Sequence, residues 1–372
     1  MKRNWWIIPA LLIVLAIVGT GSYFLGESTA SSRFQAQQEK DILLNRSKWD
    51  GLGEIEGPIY VTGHKSPDSD TVCSSIAYAT LLQALGYDAH PFVLGSINHE
   101  TRYILDAAGL DAPPLLEDAS DCTMALVDHS EYLQSADGLD RARIVSIIDH
   151  HGDGTVQTGN QLIYDARPLG ATATIIWLLY RDAGLEPDQQ TALVMMGAIL
   201  SDTKNLQSEA TTFADREALR ELSDIAGISD TDAFYNEMYK ALLSYEGMTD
   251  EEIYFSDYKE YNVDGRTFAI GCMKVYDEES AIDLAKRMKA VFPFALASTG
   301  MEMAFVKISI SHDDLSISYL VPSDDAANEV LKNVFGETAV FDGTSYVITP
   351  SVNRKAVMVP SITDYLKTHP KE

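Results

Sequence analysis

The 372-residue sequence is poor in cysteine and in positive charge. Its three cysteines, Cys73, Cys122 and Cys272, are odd in number and contain no C-x-x-C pair, so neither a disulfide framework nor a zinc knuckle is supported. The 28 Lys and Arg residues are outnumbered by 55 Asp and Glu residues, which gives a formal charge of -27. Such a chain repels phosphate backbones, so we expect no nucleic-acid partner. A polyanionic substrate would need local help from metal ions.

The one long uncharged apolar run is at the N-terminus. Two cations precede a stretch from Trp5 to Leu25 that is about long enough to cross a hydrocarbon core as a helix. We therefore predict a transmembrane helix within residues 1–30, which would anchor the protein to the membrane and leave its catalytic domains on the extracytoplasmic side. The alternative is a signal peptide that is cleaved near residues 28–30 and releases a secreted protein. Residues 31–57 are predicted to form a linker.

From Pro58 onward, short β-branched runs alternate with longer helical patterns, which is typical of an α/β fold with a parallel sheet and crossover helices. The predicted strands are Ile59–Thr62, Ala89–Val93, Met124–Val127 and Ile144–Ile148. The predicted helices are Ser74–Leu85, Asn98–Ala108, Ala171–Ala183, Pro187–Leu200 and Phe213–Ala226. We assign this first domain, with helices flanking a parallel sheet, to residues 58–245.

After about residue 245 the pattern changes to strand pairs and separate helices. It predicts a smaller α+β domain with a mixed sheet at residues 246–372. The predicted strands are Ile253–Val263, Thr267–Met273, Glu302–Ser311 and Leu315–Leu320, and the predicted helices are Glu278–Val291 and Asp324–Phe335. We place the boundary between the two domains within Tyr239–Asp250.

A turn after the first predicted strand contains three residues that can bind a metal ion, His64, Asp68 and Asp70. A turn at a helix N-terminus can hold a divalent cation beside backbone donors suited to phosphate. Helix capping by Asp68 or Asp70 is the alternative function of the two carboxylates.

Two further strands end in the same residue types. Asp128 and His129 follow one strand, and Asp149, His150 and His151 follow the next. Both strands should be buried on both faces, where unpaired charges are costly. The carboxyl ends of parallel strands meet at one edge of a sheet, and metal coordination would resolve the cost. The sequence therefore predicts a metal site at that edge.

These motifs, together with Pro168–Thr174 and Ser201-Asp202-Thr203, resemble the DHH phosphoesterase superfamily and most closely the family II inorganic pyrophosphatases. The resemblance covers about Pro58 to Ile362. It implies a manganese-dependent enzyme that hydrolyses pyrophosphate to two phosphates with a water shared by two Mn²⁺ ions; Co²⁺ or Mg²⁺ are alternative ions. The first ion would be held by His64, Asp68 and Asp128, and the second by Asp70, Asp128, His150 and Asp202.

The resemblance also assigns roles outside the ligand set. His151 would contact the substrate and protonate the leaving phosphate, while Asp149 and His129 would support the ligands. The second domain would be DHHA2-like and would bind phosphate through a D-x-K-E strand and an Arg-Lys pair. Those cations are Lys259, Arg354 and Lys355. The family further implies a homodimer.

Three other functions remain open from the residues. Ala356 interrupts the cationic run after Lys355, and Lys204–Gln207 differs from the usual pyrophosphatase pattern, so a short polyphosphate is an alternative substrate. A DHH phosphodiesterase acting on cyclic dinucleotides or short oligonucleotides is a second alternative, although the sequence has no G-G-G-H motif. A non-catalytic sensor of phosphate compounds is the third.

Overall fold

The computed structural model describes residues 32–53, 55–152, 154–310 and 316–370. By internal contacts the chain divides into two compact units, the first ending at Tyr235 and the second beginning at Asn236. The division falls within a helix, Thr231–Leu242, which is α7 in the numbering below. The boundary that we predicted within Tyr239–Asp250 stays a prediction.

The first unit contains a five-stranded sheet in the order β2-β1-β3-β4-β5, in which every strand pair is parallel. Its strands are β1 Ile59–Thr62, β2 Ala89–Phe92, β3 Thr123–Val127, β4 Arg143–Asp149 and β5 Ile163–Ala166. The parallel sheet predicted from the alternating pattern is confirmed. Strand β5 was not predicted, because it is a short edge strand on which exposed and half-buried residues alternate.

The helices of the first unit begin with residues 32–50, here called α1. The others are α2 Ser69–Ala84, α3 His99–Ala108, α4 Thr172–Asp182, α5 Gln189–Asp202 and α6 Phe213–Ala226. Helix α5 is buried from Thr191 to Leu200 and packs against α2. Helix α2 starts five residues before the predicted Ser74, because Asp68 caps it and a polar first turn hides its beginning from the apolar periodicity.

The segment predicted as a linker contains α1, whose C-terminal end packs on the first unit. Trp49 is only 2% exposed, and its carbonyl accepts a hydrogen bond from the Tyr87 hydroxyl at 3.0 Å. Lys48 lies 3.4 Å from Asp182 at the end of α4. The end of this segment is therefore part of the folded unit.

The predicted membrane-anchored location is corrected by the structure. Among the described residues, no helix combines the length and the apolar character needed to cross a membrane. The apolar run from Trp5 to Leu25, on which the prediction depended, lies outside the described residues. The described residues therefore give no support to the predicted membrane helix, to the membrane as a partner, or to the extracytoplasmic location with its secreted alternative.

The second unit contains a six-stranded mixed sheet in the order β10-β11-β9-β8-β7-β6, in which β7 and β8 are parallel and the other pairs antiparallel. Its strands are β6 Tyr258–Val263, β7 Arg266–Val275, β8 Met303–Ile310, β9 Ser318–Pro322, β10 Ala339–Phe341 and β11 Tyr346–Ile348. The predicted mixed sheet is confirmed. Helices α8 Asp250–Ser256 and α9 Glu278–Thr299 cover one face, and α10 Asp325–Phe335 and α11 Val359–Thr368 pack on the other.

The predicted start of the first strand in this unit, Ile253, is wrong. Residues from Ile253 to Ser256 belong to α8, and the strand begins only at Tyr258. The aromatic run suggested a strand, but Thr249 and Glu252 form a capping box that starts a helix. In that helix Ile253 and Tyr254 are fully buried, so packing outweighs the intrinsic strand preference.

Candidate metal centre

The carboxyl ends of three neighbouring strands bring the predicted metal-binding residues to one edge of the parallel sheet. His64 follows β1, Asp128 follows β3, and His150 follows β4. Asp202 is the last residue of α5, and Asp70 lies in the first turn of α2. The sheet order and the packing of α2 on α5 thus bring together residues that are more than 130 positions apart in the sequence.

The first group of facing ligand atoms comprises His64, Asp68 and Asp128. The His64 Nε2 atom lies 3.6 Å from Asp68 Oδ2 and 3.5 Å from Asp128 Oδ2. The Nδ1 atom of His64 donates a hydrogen bond to the Lys65 carbonyl at 2.8 Å, which turns Nε2 toward the two carboxylates. Asp68 also caps α2 through the Thr71 amide, so capping and ligand placement are compatible.

The second group comprises Asp70, His150 and Asp202, with Asp128 beside it. The His150 Nε2 atom lies 3.4 Å from Asp128 Oδ1 and 3.4 Å from Asp202 Oδ2. Asp128 therefore presents Oδ2 to the first group and Oδ1 to the second. The structure brings all six predicted metal-binding residues together, with Asp128 between the two groups.

His150 provides the clearest indication that these residues fit a metal ion. Its Nδ1 atom donates a hydrogen bond to the Leu169 carbonyl at 3.0 Å, so the lone pair of the neutral ring is on Nε2. That Nε2 atom is buried and has no hydrogen-bond partner among the described residues. A buried acceptor without a donor is costly, whereas a divalent cation is the partner that such a nitrogen takes beside carboxylates.

The charge of the centre leads to the same conclusion. Burial, followed by repulsion from Asp128 and Asp68, raises the pKa of Asp202 to about 8. Burial and neighbouring carboxylates also raise the pKa of Asp70 well above its usual range. Burial lowers the pKa of His64, but hydrogen bonds to Asp128 and Asp68 outweigh it and raise this pKa to about 11. Ionised carboxylates in this centre therefore repel one another, and bound cations would offset that repulsion.

Hydrogen bonds from other elements hold the two buried carboxylates in place. Asp70 accepts from the amides of Thr172 and Ala173 at 2.6 and 3.0 Å, both at the N-terminus of α4. Asp128 accepts from the hydroxyls of Thr71 at 2.7 Å and Thr172 at 3.0 Å. In the sequence, residues 168–174 carry only a family resemblance, and Thr71 and Thr172 have no predicted role. An isolated threonine in a first helical turn carries no signal of what its hydroxyl contacts.

Glu100, a buried carboxylate at the start of α3, was not predicted to belong to the site. It accepts hydrogen bonds from the Ser69 hydroxyl and the Ser201 hydroxyl, each at 2.8 Å. It thereby joins the beginning of α2 to the end of α5, next to the ligands Asp70 and Asp202. Burial raises the pKa of Glu100. In the sequence it resembles an ordinary acid in a first helical turn.

The predicted supporting residues have separate hydrogen bonds. Asp149 accepts from His151 Nδ1 and from the His151 amide, both at 3.0 Å, and from the Ser130 hydroxyl at 2.9 Å. Asp149 raises the pKa of the half-exposed His151. His129 uses both ring nitrogens, toward the Val127 carbonyl at 2.9 Å and Ser135 Oγ at 2.8 Å, and burial lowers its pKa. The neutral ring of His129 therefore holds the loop that follows β3 in place through these two hydrogen bonds.

The three predicted phosphate-binding cations line one cavity of about 360 Å³ within the second unit. Lys259 comes from β6, and Arg354 and Lys355 begin a short π-helical turn at Arg354–Met358. The Arg354 guanidinium is held in place, since it forms an ion pair with Asp257 at 2.7 Å and donates to the Asp257 carbonyl at 2.8 Å. Lys259 and Lys355 are exposed.

Comparisons with known proteins agree with this architecture. The model of the DHH family, N-terminal domain, matches residues 58–199, and the DHHA2 domain model matches residues 236–365. A Bacillus licheniformis protein named probable manganese-dependent inorganic pyrophosphatase is 36% identical over 83% of this chain and 99% of its own length. A Methanothrix thermoacetophila protein named manganese-dependent inorganic pyrophosphatase is 34% identical over 83% of this chain and 98% of its own.

Among solved structures, a Methanococcus jannaschii protein described as a family II inorganic pyrophosphatase superposes with a TM-score of 0.52. It is 32% identical in sequence, and the match covers 82% of this chain and 98% of that one. The similarity therefore extends over nearly the full length of these relatives.

Proposed function

Because this chain belongs to the manganese-dependent inorganic pyrophosphatases, which combine a DHH N-terminal domain with a DHHA2 domain, we infer that it hydrolyses pyrophosphate to two phosphates. Its cofactor is manganese. The observation that carries the inference is the pair of ligand groups on either side of Asp128, with the buried Nε2 atom of His150 left without a hydrogen-bond partner among the described residues.

We propose the same assignment of ligands that the sequence predicts. His64, Asp68 and Asp128 hold one ion, and Asp70, Asp128, His150 and Asp202 hold the other. Support comes from the ring orientations of His64 and His150, whose Nδ1 atoms donate to carbonyls and whose Nε2 atoms face carboxylates. Mixed imidazole and carboxylate donors suit Mn²⁺ better than Mg²⁺, which prefers oxygen ligands. Such donors also suit Co²⁺.

When bound, two manganese ions supply positive charge for the phosphoryl oxygens and lower the pKa of a water molecule. The chain contributes the proton for the leaving phosphate. His151 is suited to this role because its Nδ1–H donates to Asp149, and this hydrogen bond raises the pKa of His151 and so favours the protonated ring. The hydroxyls of Thr71 and Thr172 keep the Asp128 carboxylate in one orientation.

We also propose that Lys259, Arg354 and Lys355 bind phosphate oxygens of the substrate. The ion pair with Asp257 pre-orients the Arg354 guanidinium, which suits a planar, two-point contact with phosphate. Lys259 and Lys355 add positive charge, and their contact with phosphate does not depend on a planar geometry. A homodimer stays a prediction.

Phosphate release from pyrophosphate by the full chain loaded with Mn²⁺ tests the function. Asp128→Ala should abolish release because it removes the carboxylate shared by both ligand groups. Asp111→Ala, which removes an exposed aspartate that belongs to none of the ligand groups, should leave the rate unchanged. Absence of phosphate release by folded, manganese-loaded wild-type protein would rule out the proposed activity.

A further inference from the structure

One face of the mixed sheet changes from apolar to cationic along its length. Strands β7 and β8 are parallel, with Ile270 opposite Phe305 and Cys272 opposite Lys307. Ile270 and Phe305 lie in the core under α10 and α11. Two residues further along each strand, the same face carries Cys272 and Lys307, which line the cavity that also contains Arg354. The sheet thus continues from the core into the cavity.

The lining of this cavity has far more positive than negative charge. Five cations line it, Lys259, Lys274, Lys307, Arg354 and Lys355, whereas Asp257 is its single carboxylate. Asp257 already pairs with Arg354. No carboxylate of the described residues forms an ion pair with any of the four lysines. Such a concentration of cations in a chain with a formal charge of -27 calls for an anionic ligand.

Lys307 and Lys274 are not part of the motifs by which the chain resembles its family. Lys307 is half-buried in the lining of the cavity, where its ammonium group donates to the Ser309 hydroxyl. Burial lowers its pKa, and the neighbouring charges of Lys274 and Arg354 act in the same direction. A lysine in such surroundings destabilises the empty cavity and would be relieved by a bound anion.

We propose that this cavity binds linear inorganic phosphoanhydrides longer than pyrophosphate, with Lys307 and Lys274 contacting the additional phosphate. The proposal rests on the proposed function and extends its substrate class to tripolyphosphate. Three cations, Lys259, Arg354 and Lys355, are already assigned to pyrophosphate. The two others therefore supply charge that a third phosphate group would match.

Binding of tripolyphosphate and of pyrophosphate to the metal-free full chain, measured by isothermal titration calorimetry, tests the cavity without catalysis. Lys307→Met keeps the length and apolar stem of the side chain but removes its charge. We expect it to weaken tripolyphosphate binding by about tenfold or more, as for the loss of one charge-assisted hydrogen bond, and pyrophosphate binding by less than about threefold. Lys274→Met should act in the same direction, and Lys307→Arg should retain most of the affinity.

The matched control is Lys286→Met, which removes an exposed lysine of α9 outside the cavity and should change neither affinity. An equal loss for both anions in Lys307→Met would overturn the assignment to the additional phosphate, and so would no loss for either.

Measuring the turnover of both compounds distinguishes a failure of this inference from a failure of the proposed function. With Mn²⁺ bound, Lys307→Met should lower kcat/KM for tripolyphosphate by about tenfold relative to pyrophosphate. If the wild-type chain hydrolysed neither compound but bound tripolyphosphate in a Lys307-dependent manner, the proposed function would fail and the cavity assignment would stand. If it hydrolysed pyrophosphate but did not bind or hydrolyse tripolyphosphate, only the inference would fail.

Discussion

At the residue scale, Asp128 has the most demanding position in the metal centre. It is a non-glycine residue with φ 61, in the left-handed region that side chains rarely adopt. Its two oxygens face His64 and His150, and each accepts a threonine hydroxyl. An unusual backbone conformation and two hydrogen bonds thus place one carboxylate between the two ligand groups.

Thr172→Val tests whether these hydroxyls matter for metal binding. The change keeps the shape of the side chain and the hydrogen bond from the Thr172 backbone amide to Asp70, but it removes the hydrogen bond from the Thr172 hydroxyl to Asp128 Oδ1. We expect Mn²⁺ affinity to fall by about 10- to 100-fold, the usual effect of losing a group that orients a ligand. Titration of pyrophosphatase activity against Mn²⁺ concentration measures it.

Thr211→Val is the matched control for that prediction. Its hydroxyl is buried but has no hydrogen-bond partner among the described residues. We expect Mn²⁺ affinity to be unchanged and stability to be the same or slightly higher. Similar losses in the two variants would mean that any buried threonine is sensitive and that the contact with Asp128 is not special.

Asp149→Asn tests the proposed proton donor. Asp149 raises the pKa of His151, so the amide should lower that pKa and reduce the protonated fraction of His151 as pH rises. We therefore expect the alkaline limb of the pH profile of kcat to move to lower pH, with a smaller change on the acid limb. A uniformly lower profile with unmoved limbs would indicate a purely structural role for Asp149.

At the element scale, the ends of helices hold the centre. The N-terminus of α4 directs two amides at Asp70, where the helix dipole favours negative charge. Helix α5 ends at Asp202 and is followed by three residues with positive φ, Lys204, Asn205 and Leu206 at 49, 53 and 63. Three consecutive left-handed residues without glycine make this turn strained.

Lys204→Gly should relieve part of that strain. Lys204 is exposed, and glycine adopts positive φ at no steric cost. We expect the free energy of unfolding of the first unit to rise by about 0.5–1 kcal/mol, measured by urea denaturation of the full chain. Arg102→Gly, at an exposed helical position of α3 in the same unit, should lower it by about the same amount. Destabilisation in both variants would argue that Lys204 is not strained.

At the scale of the whole molecule, metal binding and stability should be coupled through charge. The first unit encloses four carboxylates at one edge of its sheet, in a chain of formal charge -27. Ions that bind only the folded centre stabilise it by mass action. Removal of metal by a chelator should therefore lower the melting temperature, and Mn²⁺ should restore it.

The size of this stabilisation should depend on pH. Protons compete with Mn²⁺ for the ligands, and in metal-free protein Asp202, with a pKa of about 8, is mostly protonated at pH 6.5. At pH 8.5 it is mostly ionised, so Mn²⁺ binds more tightly. We expect the rise in Tm at a fixed Mn²⁺ concentration to be larger at pH 8.5 than at pH 6.5, as measured by scanning calorimetry. A larger rise at pH 6.5 would contradict the raised pKa of Asp202.

Much of the fold could be predicted from sequence because its signals are local. Buried runs such as Ile59–Thr62 and helices with clear apolar periodicity such as Phe213–Ala226 coincide with the predicted elements. The edge strand β5 and the helix α8 could not be predicted in this way. An exposed edge strand has no apolar run, and in α8 a capping box and burial outweigh an aromatic strand pattern.

The sequence by itself determined which residue types follow the strands of a parallel sheet, and hence that histidines and aspartates would gather at its edge. It also determined the resemblance that pointed to pyrophosphate. Only the tertiary structure decided that Thr172 holds Asp128, that Glu100 joins α2 to α5, and that Lys307 shares a cavity with Arg354. Those relations depend on register and packing between segments distant in the chain, which local patterns do not encode.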